Sequence, residues 1–311
     1  MFPYGCLATS QNLPALIPGN ALGPAVPNPS TPPGGNLGSP SLSWLVSPGP
    51  ESDIITMLYQ DNTLVTNLNN PLAQLTSTTM TFSATVPITG SGVSNPANVG
   101  DLWLISGTGA GGSLNRYVVA TAVVGQKVTF NTGDALNLNQ QATCTGACSG
   151  TINDMNTGGT VFPANCPGNC TFTAQRVLMI SYWLDVTSVV NGQVVPRLMR
   201  QINMTTTPAA CSTAVPPPVG CPEPVAEVIE GFELSYDYVN TTAGLPINNQ
   251  PSSAAASTAC SCVLTDNQIR KVNIYLAGRS DEVLTGTNQY LRTNLATQID
   301  VRSLAFVNRY Q

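Results

Sequence analysis

Residues 176–186 read RVLMISYWLDV, and this stretch decides the fold. It is a run of β-branched, aromatic and long apolar side chains too continuous for a half-solvated face. It predicts a strand buried on both sides. Residues 194–203 (VVPRLMRQIN) follow across Asn191-Gly192, a strong hairpin-turn dipeptide, and are expected to pair back onto it. Moving outward, residues 53–59 (DIITMLY) suit a buried strand, and residues 78–86 (TTMTFSATV) alternate as a half-buried one. Residues 101–105, 116–124 and 127–131 read as a meander with Gly125-Gln126 as a tight turn. Downstream, residues 232–238 (FELSYDY) alternate cleanly. Apolar Val272, Ile274 and Leu276 make a strand of residues 269–277, and residues 290–310 read as a strand leading into a second strand or a frayed tail.

The segments between these strands are poor in periodicity. Residues 1–50 are rich in Pro, Gly, Asn and Ser and predict an extended, irregular arm laid on a domain, or a partly disordered lead-in. Residues 132–170 form a Gly/Asn/Thr/Cys-rich insert, and residues 205–224 a Pro- and Cys-rich loop. Residues 225–231 read as a short helical or irregular turn, residues 240–263 as low-complexity loop, and residues 265–268 as a cap and turn. The expectation is therefore a mainly β chain. The arm 1–50 leads into one head domain, 51–311, built on a twisted antiparallel sheet or sandwich with long, disulfide-stapled loops.

Composition narrows the function. Only 9% of the 311 residues are charged, against about a quarter in an average soluble domain. Asn, Thr, Ser and Gln supply the polarity, and Lys stands only at Lys127 and Lys271. Such a chain reads as exported rather than cytosolic. The formal net charge is −5, and no basic stripe with interleaved aromatics exists to track phosphates, which argues against a nucleic-acid partner. The absence of His removes Ser-His-Asp and Cys-His nucleophile systems and every His-ligated metal site. No run reaches 18 apolar residues, the length that marks a membrane-spanning helix. The opening Met-Phe-Pro-Tyr-Gly-Cys carries neither a basic nor an apolar secretory region. Either an export segment lies upstream of Met1, or the compartment is not the one composition suggests.

Nine cysteines are present. Eight fall into local pairs, Cys144/Cys148, Cys166/Cys170, Cys211/Cys221 and Cys260/Cys262, all in loop-like surroundings. In an oxidising compartment they are disulfide candidates that pin long loops. Zinc held by the two C-x3-C pairs is the rival reading. Cys260 and Cys262 stand too close for a relaxed mutual bond and are expected to pair elsewhere. Cys6 is the odd one and is free to stay reduced. Connectivity does not follow from spacing.

Several motifs tempt. Residues 107–112 (GTGAGG) match G-x-G-x-x-G, but a β-branched strand follows instead of the helix a dinucleotide site needs, so a hairpin loop is the better reading. Asp154, Asn156 and Gly158 look like a fragment of a calcium loop without its ligand spacing, and Asp61-Asn62 is weaker still. Glu227, Glu230 and Glu233 recur every third residue, a solvated face by default. Trp44, Trp103 and Trp183 read as core anchors or loop plugs. None of these assembles a nucleophile, a base and an orienting group, and the chain is expected not to be an enzyme or to hold a cofactor or metal.

The C-terminal third has a recognisable cadence. Residues 227–238 (EVIEGFELSYDY), with Glu230, Gly231 and Tyr236, are followed by residues 269–280 (IRKVNIYLAGRS), with Arg279, and by a closing stretch that runs from Tyr290 to Arg309, with Arg302 and Asn308. Three segments in this order resemble the PilW-type minor pilins of the pseudopilin family. Looser matches lie upstream at Asp53, at Asp101, at residues 195–200 (VPRLMR) and at Tyr4, Gly5 and Cys6. The resemblance implies a β-rich pilin head that follows a leader and a long apolar helix, the helix being absent from this chain. It also implies a non-catalytic subunit that primes or caps an assembling type IV pilus at the periplasm or cell surface. Its partners would be other minor pilins or pseudopilins and a tip adhesin, with membrane contact only through that helix. A J-type pseudopilin of type II secretion is a close variant, and an independent extracellular adhesive module is a separate alternative.

Overall fold

The 15-residue strand Thr171–Asp185 contains the deciding stretch and is the spine of the molecule. This computed structural model describes residues 2–3, 12–13, 16–22, 52–61, 70–93, 95–109, 112–131, 139, 160–162, 170–185, 189–190, 193–202, 221–240, 244–286 and 289–301. In chain order the principal elements are β1 (Leu16–Leu22), β2 (Ser52–Gln60), β3 (Asn70–Thr76), β4 (Thr79–Phe82), β5 (Leu102–Gly109), β6 (Gly112–Val119), β7 (Ala122–Val124) and β8 (Lys127–Thr129). They continue with β9 (Thr171–Asp185), β10 (Arg197–Ile202), β11 (Glu223–Glu227), β12 (Ile229–Val239), β13 (Pro246–Gln250), α1 (Ser253–Cys260), β14 (Ile269–Val283) and β15 (Tyr290–Asp300). The fold is mainly β and antiparallel, as the sequence predicts.

The spine β9 serves two half-sheets at once. Its N-terminal half pairs with β5 on one side and β3 on the other, giving the order β6-β5-β9-β3-β4-β8-β7. Its C-terminal half pairs with β10 and β2, giving β11-β10-β9-β2-β1. The continuous apolar run is explained by this position, because Met179, Trp183 and Leu184 are all buried although they do not share one face. Beneath the first half lies a core of Leu75, Met80, Phe82, Trp103, Phe130 and Phe172. Each such side chain contributes roughly 1.5–3 kcal/mol on burial. Phe82 and Trp103 meet with ring centroids 5.2 Å apart.

The second half carries the second sheet. Strands β13, β12, β14 and β15 form a separate four-stranded antiparallel sheet in that order. Its inner face, Phe232, Leu234, Tyr236 and Val272, packs with Leu16, Ile55 and Leu184 of the larger sheet in one core. The Asp53 carboxylate adds a polar tie between the sheets by accepting the Leu234 N–H at 2.5 Å. The chain crosses from one sheet to the other at Val228, whose φ of 58° lies in the left-handed region. A β-branched residue is rare there, so this joint is a strained one.

Several sequence expectations need correction. The arm 1–50 is not irregular throughout: Leu16–Leu22 is a strand of the larger sheet, paired with β2, and Phe2–Pro3 pairs with Asn12–Leu13. Residues 225–231 take the irregular and not the helical of the two expected forms, and they also hold strand: the end of β11, the Val228 kink and the start of β12. Residues 240–263 hold β13 and the helix α1 rather than loop alone. That helix starts where Ser252 accepts the Ala255 N–H at 3.2 Å and stops where Ser261 turns left-handed.

The same Ser261 explains the cysteine result. Its φ of 53° curls the chain and brings the Cα atoms of Cys260 and Cys262 to 5.2 Å, within the span of a disulfide. The two are bonded to each other, against the expectation that they pair elsewhere. Cys170 and Cys221 are also disulfide-bonded, and no cysteine among the described residues is free. Cys6, Cys144, Cys148, Cys166 and Cys211 lie outside the described residues, as do Trp44, Asp154, Asn156 and Gly158.

Candidate functional site

The three segments that carry the family resemblance become neighbours in space. Residues 227–238 supply β12, residues 269–280 supply most of β14, and β15 begins the closing stretch. β14 lies between the other two and pairs antiparallel with both, so that Asn273 stands opposite Ser235 on one side and Gln298 on the other. Alternation sends Phe232, Leu234 and Tyr236 to the core, and Glu233, Ser235 and Asp237 to the outer face.

At one end of this face stands a charged cluster. Glu230 accepts from Arg292 Nε at 2.8 Å and faces Arg279 Nε at 3.5 Å. The Arg279 guanidinium lies 3.9 Å above the centre of the Tyr290 ring, a cation–π contact. The hydrogen bond that Arg292 donates to Glu230 holds its guanidinium above the usual range. Gly231 has a packing reason: a Cβ there would stand 3.3 Å from the Cβ of Ala277 on the neighbouring strand.

At the other end is a carboxamide network. Asn273 Nδ2 donates to Asp237 Oδ1 at 3.0 Å and to Asn249 Oδ1 at 3.1 Å. Gln298 Nε2 donates to Asn273 Oδ1 at 2.6 Å and to Asp237 Oδ2 at 3.2 Å. Lys271 Nζ donates to Gln298 Oε1 at 3.0 Å. Side chains from all four strands are thus knitted across the face. The network ties together a polar face that also carries the exposed Tyr275.

The remaining family positions are dispersed. Tyr236 is in the core, and burial, with the Asp53 charge next in weight, pushes its phenol well above the usual range. Asp53 ties the two sheets, as described. Asp101 belongs to a different cluster, around Arg176 on the spine. There Arg176 donates to Asp61 Oδ2 at 2.6 Å, to Asp101 Oδ2 at 3.0 Å and to the Pro96 carbonyl at 3.1 Å. All three side chains are buried. Desolvation pushes the Asp101 carboxyl up, and the Arg176 charge only partly opposes it. This cluster sits where β9 passes from one half-sheet to the other, and it welds the ends of β2 and β5 to the spine. Its one arginine is committed to two carboxylates and a carbonyl, which is the arrangement of a structural clamp. Tyr4, Gly5, Cys6, Arg302, Asn308 and Arg309 lie outside the described residues.

The tempting motifs resolve simply. Gly109 and Gly112 are paired across the β5–β6 hairpin, so the glycine-rich stretch joins two strands. Glu227 pairs with Arg197 at 3.1 Å, and Glu223 pairs with Arg200. Both Trp103 and Trp183 are core residues. Among the described residues, no three Cys, Asp or Glu side chains gather as a metal would need. Also among them, no helix is long and apolar enough to cross a membrane.

Sequence reading missed Asp237, Asn249, Asn273 and Gln298 as a group, and it missed Arg176. The period-two spacing of Ser235 and Asp237, and of Asn273 and Tyr275, was a usable signal for the outer face. No protein-family model, curated protein or solved structure matches this chain.

Proposed function

We propose that this chain is a non-catalytic assembly subunit of the PilW-type minor pilin kind, acting in the priming or tip complex of a type IV pilus. The observation that carries the reading is the convergence of the three resembling segments. They are separated in sequence, yet they build adjacent strands β12, β14 and β15, with Glu230 and Arg279 in one charged cluster. A shared sheet is what a common pilin-like head would require. The low-charge surface and the disulfide-bonded cysteines suit a subunit exposed at the periplasm or cell surface. The partners on this reading are other minor pilins or pseudopilins and a tip adhesin, met through sheet edges and loops.

Deletion of the gene in its own organism tests this. Electron microscopy should show surface pili lost or strongly reduced, and restored by a plasmid-borne copy. Intact pili with a block in protein secretion would assign the chain to the J-type pseudopilins of type II secretion instead. Intact pili with normal secretion would overturn the assembly reading.

A further inference from the structure

The two sheets deal with their free edges differently. Among the described residues, β1 carries Pro18 and Gly19, β11 carries Pro224 between Glu223 and Glu227, and β7 is three residues long. β13 begins with Pro246. The edge of β6 is capped at its last residue by a side chain: Asn139 accepts the Val119 N–H at 2.7 Å and donates to the Val119 carbonyl at 2.9 Å. Prolines, brevity and capping are the usual protections against strand addition. β15 has none of them. Its eleven residues contain no Pro, Gly or Lys, and among the described residues it is the terminal strand of its sheet.

The side chains of β15 sharpen the point. Its register with β14 puts Leu295 beside Leu276, Thr297 beside Ile274 and Ile299 beside Val272. This is the face that packs against the larger sheet through β12. The cover runs out before the edge: Val272 is 4% exposed, but Leu291, Leu295 and Ile299 are 62%, 59% and 52% exposed. The two charges on the strand are already answered within the chain, Arg292 by Glu230 at 2.8 Å and Asp300 by Lys271 at 4.0 Å.

We infer that β15 is a homodimer interface, in which two copies of this chain join their small sheets edge to edge about a two-fold axis. The strand is complementary to itself. With Leu295 on the axis and the strands antiparallel, all eleven residues pair. Leu291 then faces Ile299, Thr293 faces Thr297 and Leu295 faces its own copy. On the other face Tyr290 meets Asp300, Arg292 meets Gln298 and Asn294 meets Ala296. No like charges oppose, Thr–Thr pairs are among those that stabilise antiparallel strands, and the aliphatic pairs remove exposed apolar surface from water. Such a contact is isologous and closes on itself, so it gives a dimer and not a fibre. The four-stranded sheets become one continuous sheet with a shared apolar ledge. The inference stands independently of the pilin reading.

Sedimentation equilibrium on the full oxidised chain, up to on the order of 100 μM, where even weak association is populated, tests it. The wild type should be dimeric. L295K and L295D should each be monomeric with an unchanged circular-dichroism spectrum, because each sets like charges together on the axis. An equimolar mixture of the two should recover the dimer. If L295K fails to fold, I299K, opposite Leu291, reads the same loss. A monomeric wild type, a dimer that survives L295K, or a mixture that stays monomeric would each overturn the inference.

Discussion

The strands β9 and β15 are both long and antiparallel, and they meet opposite fates. β9 has strand partners on both sides in each of its halves and buries charge: Arg176 is 3% exposed. β15 is flanked on one side and exposes leucine and isoleucine. The difference teaches that strand-forming sequence fixes local conformation but not the number of neighbours. What a strand buries depends on where the sheet runs out. The comparison can be broken first at the spine. Replacing Arg176 by Met leaves Asp61 and Asp101 buried without their guanidinium. Removing one partner of a buried pair costs about 3–5 kcal/mol, which urea unfolding would measure.

The pH dependence of that loss has a definite sign. The Asp101 carboxyl is already held above its ordinary value in the folded chain. A group raised in this way favours folding when protonated, and that contribution fades as pH rises through the raised value. In R176M the carboxyl goes higher still. The deficit against wild type should therefore be largest at neutral pH and shrink on acidification toward the ordinary carboxylate range. A deficit that is flat with pH would mean that Arg176 acts by packing alone.

A second break, about 1–3 kcal/mol by the usual cost of overpacking, comes at Gly107. It lies opposite Phe172 in the β5–β9 ladder, and a Cβ would collide with the Thr171 carbonyl oxygen and the Phe172 ring. G107A should lower the thermal midpoint, while alanine at Gly92, where nothing stands within 4 Å of the added Cβ, should not.

How far the sequence revealed this arrangement depends on the range of the interaction that decides it. The spine, β2 and β12 were legible because buried strands write their own periodicity into consecutive residues. The arm strand β1 was not, because Pro18 and Gly19 hide a strand whose existence rests on pairing with β2. The helix α1 was hidden in an Ala/Ser run, where the Ser252 cap rather than apolar periodicity marks the start. Cys260–Cys262 needed the left-handed turn at Ser261, a backbone fact with no local signature. In the candidate site, Glu230, Gly231 and Arg279 could be picked out by resemblance. The Asp237–Gln298 contact could not, since it joins residues 61 positions apart and exists only once three strands are in register.

The joint between the two sheets offers a smaller, stabilising test. Val228 holds a φ of 58°, where a β-branched side chain is strained by about 1–3 kcal/mol, and Asn tolerates that region far better. Because Val228 is only half-buried, V228N forfeits little packing and should gain about 1 kcal/mol in the same unfolding experiment. A loss instead would mean that the apolar contacts of Val228 outweigh its backbone strain.

The smallest expected effect, that of L295K on the monomer's stability, is sharpest when the same substitution is set beside it on the spine. Met179 on β9 is wholly buried, and M179K would place an ammonium group in a core with no partner for it. That chain should not fold. Leu295 on β15 is 59% exposed, and lysine is a common edge residue that keeps its charge in water. L295K should change the unfolding free energy of the monomer by less than about 0.5 kcal/mol, while removing the dimer. Stability and association are therefore separable at this one position. If L295K unfolded the monomer as M179K is expected to, the apolar face of β15 would be part of the chain's own core, and the contrast between spine and edge would collapse.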